Sequence, residues 1–141
     1  MVAEAVEANP KGMTMTVTDS VIDVEGAVAR YFDAWNEPDP AARAVLVAAA
    51  WAPDARSVDP LADVAGHDAI SAMVGAVHEQ FAGMSVRRCT GIDVHHDRVR
   101  FGWEILTDTG ETLMAGIDIA RLDEHGRLAE LVGFFGDLNG L

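Results

Sequence analysis

The 141-residue chain has one cysteine, Cys89, and one tyrosine, Tyr31, and only 6% of its residues are aromatic. A lone cysteine excludes an intrachain disulfide and a cysteine-rich zinc site, so stability must come from an apolar core, and a reducing compartment is the natural setting. Cys89 reads as a small strand residue, since no nucleophile signature surrounds it. Basic residues are also scarce: 10 Lys and Arg stand against 23 Asp and Glu, a formal net charge of −13. The Arg are scattered singly or in pairs among carboxylates, which argues against a nucleic-acid surface and against docking on an anionic membrane. The longest apolar run, Ala44 to Ala52, falls far short of the roughly 20 residues of a membrane-spanning helix. The first residues lack the basic-then-apolar pattern of a secretion signal. A soluble cytoplasmic protein is expected.

What is abundant is hydrophobic: half of the residues, enough to bury one continuous core in a chain of this length. Residues 1–18 show no sustained period, and Pro10 and Gly12 break any helix there, so they read as a flexible arm before a single domain over 19–141. From a cap at Asp19 or Ser20, apolar residues recur at Val21, Val24, Val28, Tyr31, Phe32 and Trp35 with the helical period. Asp39 before Pro40 opens a second, Ala-rich helix to about Trp51. A short strand, Ala55 to Asp59, and a loop, Leu61 to Gly66, lead to a third helix from Asp68 to Phe81. After Gly83 the pattern turns to alternation: Val86 to Val94, Val99 to Leu106, Thr112 to Leu122 and Leu128 to Phe135, with turns between them. This predicts an α+β fold, three N-terminal helices packed on a strongly curved, mainly antiparallel sheet, with a cone-shaped hollow between the layers.

Three polar residues on apolar elements could carry chemistry in such a hollow. Tyr31 lies on the buried stripe of the first helix, so its phenol needs an internal partner; a backbone carbonyl would serve as well as a ligand. Asp59 ends a strand that Pro60 cannot continue, a place suited equally to catalysis and to starting a turn. Asp118 sits inside Leu113-Met114-Ala115-Gly116-Ile117-Asp118-Ile119-Ala120, the most apolar strand. Buried there it must be paired with a cation or protonated, and Gly116 and Ala120 flank it on its own strand face; an open sheet edge is the other reading.

The segments Val28-Ala29-Arg30-Tyr31, Ser57-Val58-Asp59-Pro60-Leu61, Ile117-Asp118-Ile119-Ala120-Arg121-Leu122-Asp123-Glu124-His125-Gly126-Arg127 and Gly133-Phe134-Phe135-Gly136-Asp137 resemble ketosteroid isomerase. That family belongs to the nuclear-transport-factor-2-like (NTF2-like) superfamily, which also holds polyketide cyclases. The order and spacing of Tyr31, Asp59 and Asp118, with separations of 28 and 59 residues, agree as well. The resemblance runs from about Val21 to the C-terminus and implies the cone-shaped α+β fold, usually homodimeric, with no cofactor. It implies that Asp59 is a general base moving a proton from the carbon next to a ketone. It also implies that Tyr31 and a protonated Asp118 donate to the dienolate oxygen, a type case of a carboxylic acid kept neutral so that it can donate.

A flat, apolar, steroid-like or polyketide-like ketone would then be the partner, lined by Trp35, Phe101, Trp103 and Phe135, or Phe134 in place of Phe135. The chain departs from the family in two ways. Tyr31 has no companion tyrosines, and Val74 stands roughly where one is expected. His67, at the start of the third helix, is an additional titratable group and reads first as a helix-start residue. His95-His96-Asp97 reads as a hairpin turn, because consecutive strand residues point to opposite faces and no shared metal is expected. The competing functions are a cyclase or lyase using Asp59 or Asp118, and a non-catalytic ligand-binding or dimerisation module. Epoxide hydrolysis stands behind both, because no inward Arg is evident and Gly133 occupies the place of an acidic partner.

Overall fold

The computed structural model describes residues 14–17 and 20–136. A hairpin of β1 (Thr14–Val17) and β2 (Ser20–Asp23) leads into α1 (Val24–Trp35), followed by α2 (Pro40–Ala50), β3 (Trp51–Val58), β4 (Asp63–Ala65) and α3 (His67–Gln80). The remainder is β5 (Ser85–Arg88), β6 (Asp93–His95), β7 (Arg98–Leu106), β8 (Thr112–Leu122) and β9 (Leu128–Phe135). β3 to β9 form one seven-stranded sheet in the order β4-β3-β9-β8-β7-β5, with β6 also on β7. Every pairing is antiparallel except β3 with β9, which is parallel. The expected α+β architecture, helices on a mixed, mostly antiparallel curved sheet, is the one observed.

Local chemistry explains most boundaries. The side chain of Asp23 accepts from the Gly26 amide at 3.0 Å, so the cap of α1 stands four residues after Asp19, which lies outside the described residues along with 1–13. The end of the expected arm is hairpin strand β1, whose pairing with β2 is a tertiary event that no local period announces. Asp39 caps the Ala42 amide at 2.9 Å, with Pro40 as the first residue of α2. The expected strand from Val86 to Val94 is two short strands, β5 and β6, both paired to β7; the Cys89 amide bonds to the Gly102 carbonyl in the break between them. β3 begins at Trp51, earlier than expected, and part of the expected loop after Asp59 is β4, which folds back on it.

The core lies between α1 and the concave sheet face, where Trp51, Phe101, Ile70, Leu122 and Val24 are fully enclosed. Arg43 is the buried cation. It donates to the carbonyls of Ser71, Glu37 and Pro38, which ties α2 to α3 without a carboxylate partner. His67, the first residue of α3, bonds through its ring to the Trp51 carbonyl at 2.8 Å and serves as a fastening at the helix start. His96 takes the left-handed φ of +51° in the turn between β6 and β7.

Candidate functional site

α1 and the sheet diverge toward one end and leave an open-mouthed cavity with about 90 Å³ of internal space. Tyr31, Asp59 and Asp118 all line it. Its walls are Met73 and Val77 from α3, Phe81 just after that helix, Val86, Ile105 and Met114 from the sheet, and Leu131 and Phe135 from β9. Among the described residues no Lys or Arg contributes to the lining.

Asp118 is placed by strand register. It lies inside β8, opposite Phe101 on β7 and Gly133 on β9, and is 2% exposed. Neither pair partner can neutralise a charge. Instead, the Tyr31 hydroxyl donates a short hydrogen bond to Asp118 Oδ2, and the Trp103 indole Nε1 donates to Oδ1 at 3.0 Å. Burial pushes the Asp118 pKa up, the two donors pull it down, the negative charge of Asp59 raises it again, and it settles at about 7. Near neutral pH Asp118 is therefore present in both protonated and ionised forms. The Tyr31 phenol is held well above its ordinary pKa, first by burial and then by the neighbouring carboxylate.

Two glycines make this packing possible. A Cβ on Gly116 would lie 2.3 Å from Trp103 Cζ2, so only glycine there lets the indole lie along β8 and reach Asp118 two residues on. A Cβ on Gly133 would lie 2.8 Å from Asp118 Oδ1 and 3.4 Å from Asp59 Cβ. Gly133 thus keeps open the small space on which both acids border.

Asp59 follows the last residue of β3. Its Oδ1 accepts from the amides of Leu61 at 2.8 Å and Ala62 at 2.9 Å, which pins the carboxylate at the turn that Pro60 initiates. The turn reading and the site reading of Asp59 are one and the same: the turn's hydrogen bonds aim the carboxylate into the cavity. Its remaining oxygen accepts no hydrogen bond from the described residues.

Trp35, Trp103 and Phe135 line the cavity, with the Trp103 and Phe135 rings edge to face at 5.9 Å. Phe101 does not. It shares the inner face of β7 with Trp103 but lies beneath α1, its ring 5.5 Å from both Tyr31 and Phe32, and supports the tyrosine from behind. Alternation along β7 selects the face, whereas the crossing of α1 decides which part of that face is covered. Phe134 points outward and is 58% exposed. His67 and Val74 are not among the cavity walls.

Sequence reasoning did not identify Trp103 as a hydrogen-bond partner of Asp118, nor Ser57 and Gln80 as lining residues. Ser57 had a usable signal, since it alternates with Asp59 onto one face of β3. Gln80 had none: it is the last residue of α3, a polar position that no apolar stripe marks.

The raised pKa of Asp118 links the site to stability. The unfolded carboxyl titrates near 3.8 and the folded one near 7, so folding favours the protonated form. The contribution is fully present below about 4, declines as pH rises through 7, and amounts to a cost of about 4 kcal/mol above that. Asp118→Asn, which cannot ionise, should gain stability relative to the parent chain between pH 5 and pH 8 in urea unfolding. A pH-independent difference between the two would contradict the assignment.

Residues 28–131 match the model of the SnoaL-like domain, a stretch that spans Tyr31, Asp59 and Asp118. The chain belongs to the SnoaL-like family. Among its relatives is the steroid Delta-isomerase of Nocardioides simplex, 32% identical over 122 residues that cover 82% of this chain and 94% of that enzyme. A solved SnoaL-like family protein from Agrobacterium tumefaciens strain C58 superposes with a TM-score of 0.76 at 33% identity, covering 81% of this chain and 97% of that one. An NTF2-like protein from Exiguobacterium shares the fold, with a TM-score of 0.63 at 22% identity over 79% of this chain and 98% of that one. This SnoaL-like chain thus carries the NTF2-like fold its sequence resembles. None of its described helices is long and apolar enough to cross a membrane.

Proposed function

We propose that this SnoaL-like protein is a cofactor-independent isomerase that shifts a double bond next to a ketone in a flat, apolar, steroid-like substrate. The observation that carries the reading is the convergence of one phenol and two carboxyls of unlike environment on one apolar cavity. The hydrogen-bonded, half-buried Asp59 at the turn would take a proton from the carbon between the ketone and the double bond, and return it to the far end of the dienolate. No proton is gained or lost overall. Charge that moves to the ketone oxygen would be met by the Tyr31 hydroxyl and the protonated Asp118 carboxyl, preorganised donors worth roughly 3 to 4 kcal/mol each at best in a dry site.

The walls favour this reading over ring closure of a polar polyketide. They are aliphatic and aromatic, with Ser57 and Gln80 as the neutral polar side chains among them, and a neutral substrate needs no cationic anchor. A purely non-catalytic module is disfavoured by the burial of Asp118, since an acid kept at about 7 inside an apolar strand costs stability for which ligand binding alone gives no reason. The same reading includes a homodimer. Ile119 and Phe134 project from neighbouring strands β8 and β9 on the outer sheet face, 40% and 58% exposed, as a patch that a second copy would cover.

The test is direct. The purified protein is mixed with a steroid β,γ-enone, and the conjugated α,β-enone is followed by its ultraviolet absorbance. Conversion well above the buffer rate is expected, and its absence would reject the steroid assignment.

A further inference from the structure

The Tyr31–Asp118 pair has a second tryptophan beside it. Trp35 lies one helical turn after Tyr31 on α1, so the two side chains project from the same helix face and line the same cavity. Its indole Nε1 is buried and has no hydrogen-bond partner among the described residues. A buried donor left without an acceptor is costly, and such a group at a site calls for a physical reason. The mount is rigid. The Trp35 carbonyl bonds to the His78 ring at 2.7 Å, and the next residue, Asn36, exchanges two hydrogen bonds with the backbone of Val86, at 2.9 and 2.7 Å. α1 is therefore clamped to α3 and β5 at the turn that carries the indole.

The Tyr31 phenol oxygen is an acceptor in the same cavity lining as this N–H. Tyr31 directs its O–H at Asp118 as a hydrogen-bond donor, which leaves its oxygen lone pairs free to accept. The indole of Trp35 lowers the phenol's pKa against the upward push of burial, the direction expected of a donor that steadies negative charge on that oxygen. Trp51 is the contrasting case. Its Nε1 is also unpartnered among the described residues, but its ring packs 5.3 Å from Tyr31 as core and does not line the cavity. The sequence leaves this place to be filled, since the chain has no second tyrosine to support the first.

We propose that Trp35 is a positioning residue that polarises Tyr31, its indole N–H serving the phenol oxygen as that oxygen takes on negative charge when its proton is shared with a bound oxyanion. The proposal rests on the reading of Tyr31 as a donor to substrate, but its primary test needs no substrate. Because Tyr31 is the only tyrosine, growth on a fluorotyrosine labels this side chain alone and also makes its phenol more acidic, so that its ionisation can be followed by the fluorine resonance. In Trp35→Phe the midpoint of that ionisation should move to higher pH by about one unit, the equivalent of a tenfold change. Trp35→His, which keeps a ring N–H, should recover part of the shift. In the parent chain, the Trp35 indole N–H resonance should itself move as Tyr31 ionises, a measurement that needs no substitution.

In the enone assay, Trp35→Phe should lower kcat by up to about tenfold, with KM changed much less. An unshifted Tyr31 midpoint in Trp35→Phe, or a Trp35 N–H resonance indifferent to Tyr31 ionisation, would overturn the proposal. If the parent chain does not isomerise the enone but the midpoint moves, the steroid reading fails and the role of Trp35 toward Tyr31 stands.

Discussion

Asp59→Asn should reduce the rate of enone isomerisation by about a thousandfold or more while leaving steroid affinity largely intact, as expected when the general base is replaced by a neutral isostere. Such a loss would be chemical in origin, because the substitution preserves the local geometry. The asparagine side-chain oxygen can still accept from the Leu61 and Ala62 amides, as Asp59 Oδ1 does, so the turn at Pro60 is retained. What disappears is the only carboxylate besides Asp118 that the described residues bring to the cavity. The measurement is kcat and KM for the parent and variant with the same β,γ-enone, with unfolding curves to show that both are folded. Removing the Asp59 charge also removes one of the influences that raise Asp118 and Tyr31, so both groups should titrate lower in the variant. An active Asp59→Asn would transfer the proton-moving role elsewhere and end the isomerase reading in its present form.

Asp118→Leu should cost about a hundredfold to a thousandfold in kcat, the usual consequence of losing one preorganised donor to a developing oxyanion. KM should change little, because the donor acts mainly once charge has moved to oxygen. Two structural consequences accompany it: the Tyr31 hydroxyl and the Trp103 indole both lose their acceptor, so the variant carries newly unpaired buried donors. Asp118→Asn separates the two effects. It keeps an acceptor and an N–H donor in a side chain of nearly the same size, so it should fold well and retain more activity than leucine. In the parent chain, activity should fall as pH rises through about 7, where Asp118 loses its proton, and this decline should be absent in Asp118→Asn. Equal losses in kcat and affinity for Asp118→Leu would instead mark the residue as structural.

The elements that the sequence predicted well are those whose signal is local. The aromatic and apolar stripe of α1, the Asp39–Pro40 helix start and the alternation of β7, β8 and β9 each require only neighbours within one element. The three polar candidates were visible for the same reason: a carboxyl inside an apolar strand, or a phenol on an apolar helix face, conflicts with its immediate surroundings. The misreadings involve contacts between distant segments. The β1–β2 hairpin, the return of β4 on β3 and the split into β5 and β6 are all decided by pairing partners. Phe101 was placed on the correct face and assigned the wrong role, because α1 covers that part of the sheet.

Period and composition therefore established an acidic α+β chain with an apolar interior and three polar residues that its elements could not easily absorb. Only the folded chain determined that these three border one cavity, that Trp103 reaches Asp118 across Gly116, and that the indole of Trp35 lies beside Tyr31. The physical reason is that side-chain direction within a helix or strand follows from its own repeat. The meeting of side chains separated by tens of residues depends on strand register, on how sharply the sheet curves, and on where a helix crosses it.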